Sequence, residues 1–271
     1  MLAPVEKFLA DRGTHLAAMI AYFALLSLVP LVFLAFALLG FFGQVDAESY
    51  LVAELNHLFP ASPIEDVVRA VRTVQRNATT LGIVGAVFLL WTSLSLFSVL
   101  ESAFNIVYGR PNRSFLRGKA LATVLLISSL VVLFVGLVAG SVGFDLFQRF
   151  APGVAGNAYV AFALSVAVSA LAVFVFLVAV YYLLTNTKLT FREVLPGAIF
   201  ATVVLQATFQ VLPLYVRLSR DVVVLQAFGA PVLLLVWLYV MANVIVLGAE
   251  VNWWLGRSRA AAEEDEAPGL A

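Results

Sequence analysis

An all-α polytopic membrane protein, built as a six-transmembrane-helix bundle, is the fold this chain predicts, and three observations predict it. Of the 271 residues, 63% are hydrophobic and only 12% are charged, whereas a soluble domain carries roughly 25% charged residues to cover its surface. The mean hydropathy is +1.03, so most of the surface is expected to face lipid. Six apolar segments, 16–42, 80–107, 120–143, 158–184, 194–216 and 228–255, each reach the roughly 20 residues that cross a hydrocarbon core. Each must be a helix, because an isolated strand would leave backbone polar groups bare in lipid.

The elements follow in chain order. Met1 to Gly13 is short and polar, with Lys7 and Arg12. The apolar run behind it is longer than the roughly 7–15 residues of a signal-peptide core, so it reads as a retained first span. Pro30 lies inside that span and is expected to kink it, since proline removes a backbone donor. The connection 44–78 reads as a short extracytoplasmic amphipathic helical hairpin. Tyr50, Leu51, Glu54, Leu55 and Leu58 form one apolar pattern, and Ser62-Pro63-Ile64-Glu65 reads as a capping box opening a second helix through Val67, Val68, Val71 and Val74. Gly136, Gly140 and Gly143 in the third span permit close helix approach. Thr190-Phe191-Arg192-Glu193 is a second capping box, at the start of the fifth span. Residues 1–259 make one membrane domain, and the acidic tail 260–271, with Glu263, Glu264, Asp265 and Glu266, reads as disordered.

Orientation is read from the basic residues of the loops. Lys7, Arg12, Arg110, Arg113, Arg117, Lys119, Lys188, Arg192, Arg257 and Arg259 fall on one side, and Arg69, Arg72, Arg76, Arg149, Arg217 and Arg220 on the other. The richer side is expected to be cytoplasmic, with both termini on it. The chain has no native cysteine, so single cysteines report topology directly. In intact cells an impermeant thiol reagent should label Ser62→Cys and spare Ser114→Cys; the opposite pattern inverts the assignment.

Several functions are excluded by what the chain lacks. The formal charge is zero and there are two histidines, His15 and His57. Disulfides, thiolate catalysis and cysteine metal sites are ruled out. There is no phosphate loop, no nucleophile elbow and no H-E-x-x-H, so no enzyme, cofactor or metal is expected. The basic loop from Arg110 to Lys119 reads as an anchor, with Arg110, Arg113, Arg117 and Lys119 as candidate lipid-headgroup contacts rather than a nucleic-acid surface.

Polar residues inside the spans mark where lipid is absent. At about 100° per residue, Ser95, Ser98, Glu101, Ser102 and Asn105 share one arc of the second span. Gln206, Gln210 and Arg217 share a face of the fifth, and Tyr239, Asn243, Glu250 and Trp254 a face of the sixth. These stripes are expected to face one another or a shared polar cavity. Glu101 and Glu250 are its sharpest points and carry two readings. In one, each is a structural tie to Arg110, Arg113, Arg257, Asn105 or Asn252; in the other, they line a cavity that handles a solute.

Four stretches resemble the YihY/BrkB family of bacterial inner-membrane proteins. They are Ala21-Tyr22-Phe23-Ala24-Leu25-Leu26-Ser27-Leu28-Val29-Pro30, Ala103-Phe104-Asn105-Ile106-Val107-Tyr108-Gly109, Leu195-Pro196-Gly197-Ala198, and Phe228-Gly229-Ala230 leading through Leu235-Val236-Trp237-Leu238-Tyr239 to Leu247-Gly248-Ala249-Glu250. Thr185-Asn186 departs from the pattern, where a proline-containing turn is expected. The resemblance implies a six-helix inner-membrane fold. Members have carried the name ribonuclease BN, which looks like a historical misassignment, and others look like exporters of lipid or small solutes. The leading expectation is a transporter or flippase-like protein for a lipid or small organic solute, with membrane lipids as partners. The alternative is a non-transporting scaffold or envelope-integrity protein that binds a partner, in which a homo-oligomer is one arrangement.

Overall fold

The computed structural model describes residues 3–41, 78–150, 158–219 and 230–266, all helical apart from short connections. Seven helices lie among them: α1 (Ala3–Ala10), α2 (Gly13–Phe41), α3 (Ala78–Val107), α4 (Phe115–Phe150), α5 (Ala158–Leu184), α6 (Phe191–Ser219) and α7 (Ala230–Glu266). The last six run from 27 to 37 residues, or roughly 40–55 Å at 1.5 Å per residue. Over their described residues, α4, α5, α6 and α7 are long and apolar enough to cross a membrane, with mean hydropathies of 1.6 to 2.6. The expected rim hairpin lies outside the described residues, as do residues 267–271. So do the side chains of Pro30 and Arg217 and the surroundings of Gly136, Gly140 and Gly143.

Helix α7 is the hub, packing against α1, α2, α3 and α6, while α5 packs on α6 and α4 on α3. The buried centre holds Phe104, Val107, Leu177, Val180, Tyr181, Leu184, Val194 and Val246. Phe104 and Tyr181 meet edge to face at 5.2 Å between centroids. On the outside, Val168, Leu171 and Val203 are 61–63% exposed. Side chains of that kind belong against hydrocarbon, where their exposure costs nothing.

Local chemistry explains where helices start and stop. Glu193 accepts hydrogen bonds from the Thr190 backbone N–H and hydroxyl, the glutamate half of a capping box at the head of α6, while its own N–H donates to the Thr190 carbonyl. At the foot of α3, Arg110 N–H donates to Asn105 O and Gly109 N–H to Ile106 O. This is the Schellman pattern. It requires Gly109 at φ +61°, where a side chain would cost roughly 1–2 kcal/mol.

One element was not foreseen and one expectation needs correction. Within the short polar start Ala3–Ala10 folds as α1, with Pro4 and Phe8 turned inward one turn apart. The tail is helical to Glu266 instead of disordered from Ala260. Its Arg-Ala-Ala-Ala-Glu-Glu run is made of strong helix formers, so α7 continues beyond its apolar length.

Helices α6 and α7 cross almost backbone to backbone. A Cβ at Gly197 would collide with the Gly248 carbonyl and stand 2.6 Å from Asn252 Cγ, and one at Gly248 would come 3.0 Å from Ala201 Cβ. Asn252 Oδ1 accepts from the Gly197 N–H at 2.6 Å. From α5, the Tyr181 hydroxyl donates to Ile245 O at 2.7 Å. The Pro-Gly and Leu-Gly-Ala-Glu stretches singled out in the sequence thus meet at one crossing.

Candidate functional site

The polar side chains gather at the end of the bundle that carries α1 and the loops 108–114 and 185–190. Helix ends leave four carbonyls unpaired, and in a bundle these must find donors. Arg113 supplies them to α5: Nη1 donates to Leu184 O at 2.6 Å, and Nη2 to Leu183 O at 3.0 Å and Thr185 O at 2.9 Å. The same guanidinium pairs with Glu101 Oε1 at 3.3 Å, and that oxygen also accepts the Arg113 backbone N–H at 3.2 Å. Glu101 is 5% exposed. Its other oxygen would stand 3.1 Å from a Cβ at Gly118, so this glycine makes room for the carboxylate beside the first turn of α4. That position also suits a negative charge near a helix N-terminus.

An asparagine network extends the Glu101 group. Asn105, fully buried, donates to Asn112 Oδ1 at 3.0 Å and accepts the Asn186 N–H at 2.7 Å. Asn112 donates to Ser102 at 3.2 Å, and Asn186 to Pro111 O at 2.8 Å. The Thr185-Asn186 departure noted in the sequence thus fastens the two loops together. Lys119 donates to the Ser98 hydroxyl at 3.0 Å, and Ser98 in turn donates to Leu94 O.

Glu250 stands in a second group. It is completely buried, and Lys7 of α1 lies 3.1 Å from its Oε2. Lys7 also donates to Val107 O at 2.8 Å and to Asp11, and its ammonium rests 4.4 Å from the centre of the Trp253 ring. Lys7 thus meets Glu250 as an ion pair; Tyr108 Oη and Asn252 Nδ2 are buried without a hydrogen-bond partner among the described residues. Burial pushes the Tyr108 phenol well above its ordinary pKa, and the charges of Glu193 and Glu250 add to the rise. It therefore stays a neutral O–H.

The predicted residues divide accordingly. Ser98, Glu101, Ser102 and Asn105 come together, whereas Glu101 and Glu250 are held by different cations. Of the named tie partners, Arg113 takes Glu101, but Glu250 is taken by Lys7, and Arg257 stacks instead over Trp253 at 5.4 Å. Ser95 and Asn243 bond carbonyls of their own helices. Gln206 reaches α5 by donating to Val166 O at 3.1 Å, with its Oε1 left unpaired. Tyr239 is half-buried and Gln210 lies exposed. Among the headgroup candidates Arg110 and Arg117 are exposed, but Arg113 is not available to lipid, because helix-end carbonyls and Glu101 hold its guanidinium. Lys119 gives one bond to Ser98. Sequence reasoning missed Lys7 and Tyr108; the Lys7–Asp11 spacing of four and the Pro4–Phe8 pair were the signals of α1.

Residues 5–269 match the sequence profile of the virulence factor BrkB family. A protein of Chromohalobacter salexigens named UPF0761 membrane protein is 26% identical over 95% of this chain and 63% of its own length. One of the same name from Azotobacter vinelandii is 29% identical over 94% of this chain and 62% of its own. A Bacillus subtilis protein named as ribonuclease-like, YfkH, is 24% identical over 96% of both chains. The chain thus spans under two-thirds of the length of the first two relatives. No solved structure matches it.

Proposed function

The chain belongs to the virulence factor BrkB family of membrane proteins, and from that premise we propose that it is a multi-pass inner-membrane transporter, flippase-like, for a lipid or small organic solute. In this reading all six long helices cross the membrane, both termini are cytoplasmic, and the two ion-paired groups close the cytoplasmic end. The observation that carries it is a set of buried polar atoms without hydrogen-bond partners among the described residues: Thr202 Oγ1 and Gln206 Oε1 on α6, Asn252 Nδ2 on α7, and Tyr108 Oη beyond α3. Each unsatisfied buried group costs about 1–3 kcal/mol. Water or a polar solute between these helices would remove that cost, and a path for one is what a transporter needs. The reading includes no enzymatic step and no nucleic acid.

A second reading has its own support. Glu101 and Glu250 each hold a cation, as the ties of a scaffold would.

One experiment separates the two. Compounds that co-purify with the protein are identified by mass spectrometry and then offered to proteoliposomes. The transporter reading expects flux above that of empty liposomes, lost in Glu250→Gln while the variant still elutes as folded protein. Flux equal to empty liposomes for every co-purified compound overturns it, and a stoichiometric co-purifying protein then favours the scaffold.

A further inference from the structure

We propose that the Lys7 ammonium sits in a site built for a primary amine, and that a free primary ammonium takes this site when α1 lifts from the bundle. The proposal stands whether or not a solute crosses the membrane. The groups around Lys7 Nζ are all electron-rich and come from separate parts of the chain: Glu250 Oε2 at 3.1 Å, Val107 O at 2.8 Å, the Trp253 ring at 4.4 Å and the Asp11 carboxylate. Val107 O belongs to the last turn of α3, the negative end of its dipole. A carboxylate, a helix-end carbonyl and an indole face together make an ammonium receptor.

Lys7 fills that receptor imperfectly. It donates to Val107 O and Asp11 and stands 3.1 Å from Glu250 Oε2, off the line of a good hydrogen bond. An untethered ammonium has three donors free to turn, and could serve Val107 O and Glu250 together. With α1 gone Asp11 leaves too, and the remaining site holds one carboxyl group, Glu250, to pair with one ammonium.

Helix α1 has eight residues, too few for stability on its own, and Val5 and Leu9 on it are 42% and 63% exposed. It joins α2 through the Asp11-Arg12 turn, in which Arg12 holds φ +55°, a conformation disfavoured for any residue with a Cβ.

The test uses the full-length chain in detergent, with thermal midpoints read by size exclusion after heating. Lys7→Ala should melt below wild type, and n-butylammonium chloride should raise its midpoint over an equal concentration of sodium chloride. At a hundredfold excess over Kd the rise should be about 5 °C or more. Wild type and Lys7→Ala/Glu250→Gln should not respond. A second arm replaces the small amine with phosphatidylethanolamine against phosphatidylcholine: stabilisation of Lys7→Ala by the former alone assigns the site to a lipid amine, and butylammonium acting alone assigns it to a free amine. No rise with either amine, or an equal rise in the Glu250→Gln background, overturns the proposal. Should Lys7→Ala not fold, Lys7→Met, which keeps its stem against Trp253, is read in the same way. Failure to recover either variant with butylammonium present throughout also overturns it, since the amine should replace what was removed.

Discussion

Arg113→Ala should lower the stability of the protein by about 3–5 kcal/mol, the range for removing one partner of a buried ion pair. The loss is double. Glu101, 5% exposed, keeps its charge without its cation, and the carbonyls of Leu183, Leu184 and Thr185 lose their donors at the end of α5. In detergent the temperature at which monodisperse protein is lost should fall by on the order of 10 °C. Arg113→Lys should recover little, because one ammonium cannot match a planar fork that serves an oxygen of Glu101 and three carbonyls. Adding Glu101→Gln to Arg113→Ala should restore part of the loss by removing the stranded charge. If Arg113→Ala melts within 2 °C of wild type, the guanidinium is not holding this end.

The second large effect is expected at the α6–α7 crossing. In Gly197→Ala the new methyl meets a backbone carbonyl and Asn252 Cγ at 2.6 Å. Backbone cannot step aside as a side-chain tip can, so the helices must part, at about 2–3 kcal/mol. Parting them also breaks the Asn252–Gly197 hydrogen bond. Gly197→Leu should give no folded protein. The control is Gly256→Ala on α7, where a Cβ has nothing within 4 Å. It should be neutral or stabilise by up to about 1 kcal/mol, the difference between glycine and alanine in a helix. Thermal midpoints of the two alanine variants should therefore move apart; equal shifts would show that the crossing is not tight.

These two sites show what could be read from the chain. Helical class and the place of each long helix follow from apolar runs, because crossing lipid leaves the backbone one solution. Glu101 and Arg113 could be named as partners, since both carry charge near one loop. The larger part of Arg113's work was not legible, because the carbonyls of residues 183–185 carry no signature in side-chain identity. Likewise, Gly197 and Gly248 could be flagged, but no periodicity says that two glycines on different helices face each other. Lys7 was overlooked for a different reason: an eight-residue helix shows too few turns for its pattern to stand out. Its carboxylate lies at the far end of the chain, so no local rule pairs them.

The distance along the chain between these partners has a consequence for how the protein is made. Arg113 leaves the ribosome 71 residues ahead of the Leu184 carbonyl it binds, and Lys7 leaves 100 residues ahead of Val107. At about 5–20 residues per second, these cations wait for seconds with only their near neighbours in sequence to hold, Glu101 for Arg113 and Asp11 for Lys7. Glu250 arrives only with α7, so until α7 is made the chain lacks the carboxylate that pairs with Lys7. Sealing this end therefore waits for α7, and α1, though synthesised long before it, is fixed only afterwards.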